Sequence, residues 1–119
     1  MTFRATPNFT GSSINALPVP YERITAAGAI SVPSGVVGVN GTTLAVSLAT
    51  PTLAQNGQEI IVYAENASAH VLTITGGTFN GGANNTGTYG GAIGDMVKLV
   101  AIEGEWFVTI NTNVTLSDV

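Results

Sequence analysis

The chemistry open to this chain rests on few residues: one histidine, seven carboxylates, three fixed cations (Arg4, Arg23 and Lys98), three tyrosines and no cysteine. An enzyme needs acids, bases or nucleophiles held together in one place. His70 is the only histidine, so a transition-metal site has no partner ligands of the usual kind. A catalytic imidazole also needs an orienting group, and a structural role fits His70 better. Glu103 and Glu105 have the spacing of a carboxylate pair, but they bracket a glycine at what reads as a hairpin tip. Solvated surface charges are expected there. Asp95, directly after Gly94, is expected to cap a turn by accepting backbone N–H groups. Calcium needs several converging oxygens, and no Asp-x-Asp run supplies them. The glycine-rich stretch 76–94 has no lysine after any glycine, which excludes a phosphate-binding P-loop. No catalytic residues, no cofactor and no metal are therefore expected.

The charge inventory excludes further classes of function. Charged residues make up 8% of the chain, against about 25% in an average soluble protein. Three cations against seven acids cannot form the basic patch that nucleic acid requires, nor one for an anionic membrane surface. Hydrophobic residues reach 45%, yet no apolar run approaches the roughly 18 residues of a membrane span. A small chain so poor in surface charge is expected to spend much of its surface on other protein. The first twenty residues lack the layout of a signal peptide, and the chain begins at Met, which reads as a small gene product made in a cytoplasm. Five Asn-x-Ser/Thr sequons, at Asn8, Asn40, Asn66, Asn84 and Asn113, are most simply a by-product of an Asn- and Thr-rich composition.

The elements that would position these residues are β-strands. With 119 residues the chain suffices for one domain, divided here into an extended arm over 1–20 and a β-domain over 21–119. The arm holds Pro7, Pro18 and Pro20 around Gly11, Ser12 and Ser13, with no period. Beyond it, short Val-, Ile- and Thr-rich runs separated by Gly, Asn and Pro predict strands over 21–25, 28–33, 36–40, 42–49, 58–65, 69–75, 95–102 and 105–111. The fold class expected is all-β, a small antiparallel sandwich or barrel-like domain. Leu44, Val46 and Leu48 share one face of their strand, and small residues line the other, which would allow close approach by a second sheet or chain. Ile60, Val62 and Ala64 oppose Ile61 and Tyr63, while Leu72 and Ile74 share a face with His70. The stretch 76–94 carries eight of the fifteen glycines and reads as a long turn-rich excursion. Phe79 and Tyr89 are its large side chains. They would anchor the loop to the body or present a surface for recognition, and anchoring suits buried aromatic area better.

The run GDMVKLVAIEGEWFVTI, residues 94–110, reads as a hairpin turning at Glu103-Gly104. That register opposes Ala101 to Trp106, Leu99 to Val108 and Val97 to Ile110, giving one wholly apolar face. The reverse face, with Met96, Lys98, Val100, Ile102, Glu105, Phe107 and Thr109, is more than half apolar. A solvated face would not be. Either a neighbouring subunit meets Val100, Ile102 and Phe107, or a second layer of the same domain covers them.

Several of these features together resemble a β-domain that recurs in tailed-bacteriophage virion proteins. They are the hairpin ending in Thr73–Gly76, the Gly-Asn excursion around Asn80–Gly82, Gly94-Asp95 opening a strand, and the aromatic pair Trp106-Phe107. The resemblance covers roughly residues 42–110. Where that pattern has Asp-Gly or Asn-Gly before the aromatic pair, this chain has Glu103-Gly104. Proteins with such domains include head decoration (cement) proteins, head fibres and tail fibres, and are commonly homotrimers.

The resemblance implies a homotrimeric capsid decoration protein on the virion surface, with the phage major capsid protein as partner. Closed three-fold association would bury the second sheet face. Phe3, Phe9 and Ile14 would anchor the arm to the capsid, with Arg4 as an ion-pair donor. The alternative is a fibre or receptor-binding module whose loop around Phe79 and Tyr89 contacts a host glycan.

Overall fold

The computed structural model describes residues 19–119. Ten strands follow one another: β1 (Tyr21–Ile24), β2 (Gly28–Ala29), β3 (Gly35–Val39), β4 (Ala45–Ala49), β5 (Glu59–Ala64), β6 (Val71–Thr75), β7 (Thr86–Tyr89), β8 (Met96–Ile102), β9 (Glu105–Thr112) and β10 (Val114–Ser117). A single 3-10 turn, Leu53–Gln55, interrupts them, and there is no α-helix among the described residues. The strands form two five-stranded sheets, ordered β1-β3-β5-β8-β9 and β10-β7-β6-β4-β2. They pack face to face as a sandwich.

The all-β expectation holds, and the antiparallel one needs correction. From β1 to β6 each strand lies in the opposite sheet from its predecessor, so the chain winds between sheets like a solenoid. Neighbours within a sheet then run the same way: β1 with β3, β3 with β5, β2 with β4 and β4 with β6 are all parallel. Antiparallel pairing begins only where β7 and β8 reverse against β6 and β5. Period-2 alternation is the same in parallel and antiparallel strands, so the pattern that predicts strands says nothing about their direction.

Side-chain alternation sorts the core. Val37, Val39, Ile60, Val62, Val97 and Leu99 from one sheet meet Val46, Leu48, Leu72 and Ile74 from the other, all buried. Fully burying one such side chain is worth about 1.5–3 kcal/mol. Two polar atoms cross the interior with partners: the Tyr89 hydroxyl donates to the Val62 carbonyl at 2.7 Å, and Trp106 Nε1 donates to the Ala49 carbonyl at 2.9 Å. Each bond ties one sheet to the other.

Strand boundaries differ where local backbone intervenes. The expected strand over 42–49 begins only at Ala45, because Thr43 takes φ 45° and the Leu44 N–H is turned to His70. The expected strand over 28–33 shrinks to Gly28–Ala29. The excursion 76–94 contains a strand that the pattern hid, β7, because its sequence Thr-Gly-Thr-Tyr carries a glycine and a single large side chain. The carboxy-terminal strand β10 was likewise not expected.

The hairpin turns at Glu103-Gly104 with φ 50° and 83°, positive at both positions as a two-residue type I′ turn requires. Glutamate adopts that conformation with help from Asn56. The Glu103 N–H donates to Asn56 Oδ1, and Asn56 Nδ2 donates to Glu103 Oε2, both at 2.6 Å. Ala101 opposes Trp106 and Leu99 opposes Val108, as expected. Val97 does not oppose Ile110: a bulge in β9 shifts the register, so Lys98 pairs with Ile110 and Val97 with Asn111. The extra residue, Thr109, donates through its hydroxyl to the Lys98 carbonyl at 3.1 Å. Bulges bend a strand and increase its twist, and β9 departs just beyond this one, through Asn113, to join the other sheet as β10.

Candidate functional site

The face of β8 and β9 turned away from the core belongs to a larger surface, the outer side of the five-stranded sheet. The strand registers lay it out in rows. Val100 lies between Glu59 and Phe107; Tyr21, Val36, Ile61, Lys98 and Ile110 form the next row; Arg23, Gly38, Tyr63 and Met96 form the one after. Ile102 sits at the hairpin tip opposite Glu105. Val36, Ile61, Tyr63, Met96, Val100 and Phe107 are half-buried, and Ile102, Ile110 and Tyr21 are 45%, 46% and 52% exposed. The second sheet packs on the opposite side, so an intrachain layer does not cover this face among the described residues.

Both cations among the described residues lie on this surface, each beside a carboxylate. Lys98 Nζ is 3.4 Å from Glu59 Oε1. Arg23 Nε is 2.9 Å from Glu65 Oε1, a contact without the alignment of a hydrogen bond. The Tyr21 hydroxyl donates to Glu65 Oε2. That hydrogen bond, with Arg23 beside it, lowers the Glu65 pKa against the opposing effect of burial. Gly38 lies directly beneath, and a Cβ there would overlap the Glu65 carboxylate. The surface is thus broadly apolar with its charges paired in place, each cation beside a carboxylate.

Of the interface residues read from the sequence, Val100 and Phe107 lie directly opposite one another, and Ile102 is the next outward-facing residue along β8. Reading β8 and β9 alone missed Tyr21, Val36, Ile61, Tyr63 and Ile110 as parts of the same surface. A signal existed for two of them, since Ile61 and Tyr63 fall opposite Ile60 and Val62 in the period-2 pattern. The remaining members needed the parallel pairing and the bulge.

The recognition alternative for Phe79 and Tyr89 is corrected. Both are 1% exposed and belong to the core. Phe79 bridges to Trp106, and the loop it anchors places Asn80 along the edge of β9. There the Asn80 N–H donates to the Trp106 carbonyl at 2.9 Å and the Val108 N–H donates to Asn80 Oδ1 at 2.8 Å. These bonds occupy edge groups that would otherwise be open to another strand.

His70 is fully buried. Its Nδ1 accepts the Leu44 N–H at 3.1 Å, which leaves the proton on Nε2, 2.9 Å from Asn66 Oδ1. Burial lowers its pKa. Asn66 also bonds both backbone groups of Gly41, so the pair clamps the β3–β4 connection onto the β5–β6 connection. Asp95 caps its turn as expected, with Oδ2 accepting the Ala92 N–H at 2.9 Å, and Asn113 donates to the same carboxylate. Among the described residues, the sequon asparagines Asn66 and Asn113 thus hold connections in place. Among the described residues no three of His, Cys, Asp and Glu are grouped to hold a metal ion, and no helix is long and apolar enough to cross a membrane. The expected arm anchors Phe3, Arg4, Phe9 and Ile14 lie outside the described residues.

No protein-family model matches the chain, and no curated protein matches it.

Proposed function

We propose that the chain is a capsid decoration (cement) protein, a homotrimer whose subunits meet through the outer face of the five-stranded sheet. The observation that carries this reading is that face: nine large apolar or aromatic side chains in contiguous rows, uncovered among the described residues, in a chain only 8% charged. Contiguous exposed apolar patches of this kind mark interaction sites, and a closed rotation axis satisfies such a patch with a copy of itself. The virion setting rests on the resemblance carried by Thr73–Gly76, Gly94-Asp95 and Trp106-Phe107. The arm carrying Phe3, Arg4, Phe9 and Ile14 would dock on the major capsid protein at the outer surface of the head. Binding the assembled shell and not its dissociated subunits stabilises the shell by mass action.

The burial of Phe79 and Tyr89 weighs against a fibre module that contacts host glycan through their loop, because neither ring is available to stack on a sugar. The test is the solution mass by light scattering for wild type and Phe107→Glu. A trimer that the substitution dissociates supports the shared face. A wild-type monomer of about 12.1 kDa would sink it.

A further inference from the structure

The edge strand β1 is held from both sides by carboxylates. It is outermost in its sheet, four residues long, and Ile24 is its one buried side chain. Its neighbour β3 has glycine at two positions that meet it. A Cβ at Gly35 would overlap the Pro20 carbonyl, and one at Gly38 the Glu65 carboxylate and the Tyr21 hydroxyl. On the inner side, Glu22 reaches to the segment after β2, at the edge of the other sheet. Its Oε1 accepts the Ser31 and Val32 N–H groups at 2.8 and 3.2 Å, and its Oε2 accepts the Ser31 hydroxyl at 2.9 Å. On the outer side, Glu65, just past β5, accepts the Tyr21 hydroxyl and lies beside Arg23. The two carboxylates therefore fasten three of the strand's four residues.

We infer that β1 is an acid-released strand: protonating Glu22 and Glu65 frees Tyr21–Ile24 from β3 while the rest of the sandwich stays folded. Hydrogen bonds to an ionised carboxylate are roughly twice as strong as neutral ones. A neutral Glu22 would keep only the weaker kind with the two N–H groups, and a neutral Glu65 would lose its attraction to Arg23. Burial raises the Glu22 pKa, but the Ser31 and Val32 hydrogen bonds outweigh it and leave it lowered. The Glu65 pKa is lowered by the Tyr21 hydrogen bond and by Arg23. Both groups thus bind protons less readily in the docked strand than in the released one. Their hold is complete above the ordinary value of 4.5 and is lost as pH falls through the lowered folded values. Among the described residues, the charged or titratable groups facing Glu65 are Arg23 and Tyr21 from β1, with the Asn40 amide from the end of β3; Glu22 meets only Ser31 and Val32. An edge strand fastened in this way lies at the low end of local opening free energies. The inference concerns the strand alone and stands whether or not subunits associate.

The test uses the full chain. Glu22→Gln/Glu65→Gln mimics the protonated pair at pH 8, where His70 stays neutral, and trypsin reads the strand directly because Arg23 lies within it. Cutting after Arg23 should run roughly tenfold faster than in wild type, following the population of released strand, while Lys98 inside the sheet stays uncut. A second measurement needs no substitution: amide exchange in wild type between about pH 6 and 3.5, corrected for intrinsic rate. The Val36 and Asn40 N–H groups, which donate to the Pro20 and Ile24 carbonyls at 2.9 Å, should lose protection before those of β5 and β8. Equal cutting rates at Arg23, cutting at Lys98 alongside it, or protection lost together across both sheets would each overturn the inference.

Discussion

The two outer faces of the sandwich are built on the same alternation and carry opposite chemistry. On the five-stranded sheet that ends in β9, the outward positions are Val36, Ile61, Tyr63, Met96, Val100 and Phe107. On the sheet that contains β4, β6, β7 and β10, the corresponding positions are Ala45, Ser47, Thr73, Thr75, Thr88, Thr115 and Ser117, with Val71 as the one larger aliphatic residue. Hydroxyl side chains satisfy themselves with water, and short ones expose little apolar area. The aliphatic side chains and the Phe107 ring can do neither. Both faces are uncovered among the described residues, but only the first carries a cost for being so. The two faces therefore ask different things of a neighbour: threonine and serine are satisfied by water, whereas valine and phenylalanine leave apolar area that the proposed association would bury.

The sharpest way to break that comparison is to place the same charge on each face. Phe107→Glu should weaken association by on the order of 2–4 kcal/mol and yield monomer by light scattering, whereas Thr73→Glu should leave the mass unchanged. Equal effects would mean that the two faces are not functionally distinct.

A smaller effect separates the faces from the interior they share. Tyr89→Phe removes the donor to the buried Val62 carbonyl and should cost about 1–3 kcal/mol in urea unfolding. The oligomeric state at native conditions should not change, since the ring lies between the sheets and not on either outer face.

The polar end of the sandwich should respond to pH. His70 is neutral when folded, with a pKa lowered by burial, while the unfolded chain takes up a proton near pH 6.5. A depressed histidine pKa means that the unfolded state binds more protons, so stability falls as pH drops below about 6.5 towards the folded value. His70→Gln should flatten that slope in denaturant midpoints measured between pH 7 and pH 5. The smallest effect belongs to the face charges. Lys98→Met removes a partly exposed pair worth less than about 1 kcal/mol and leaves folding almost untouched. It should strengthen association by enlarging the apolar face, measured as a lower dissociation concentration.

Several of these elements were legible in the residues alone. Alternation in 58–65 put Ile60, Val62 and Ala64 on one face and Ile61 with Tyr63 on the other, and the hairpin at Glu103-Gly104 followed from segregating its apolar side chains. The apolar reverse face of β8 and β9 was visible in the same run, as was the capping role of Asp95. Other parts were hidden because they depend on contacts distant in the chain. Nothing local marks Asn56 as the partner that lets Glu103 hold a positive φ, or Asn80 as the cap on the β9 edge. The bulge at Thr109 left no trace in the pattern, so Ile110 was assigned to the wrong side.

By itself, the sequence determined that the chain is all-β, which side chains share a strand face, and that one strand face is too apolar for water. These are local properties, set by side-chain size, branching and a period of two. Only the tertiary structure decided that the first six strands wind between two sheets in parallel. It alone gathered Tyr21, Val36, Ile61 and Phe107 from four strands onto one surface. Strand direction and sheet order are set by which buried faces meet across long loops, and alternation within a strand is blind to both.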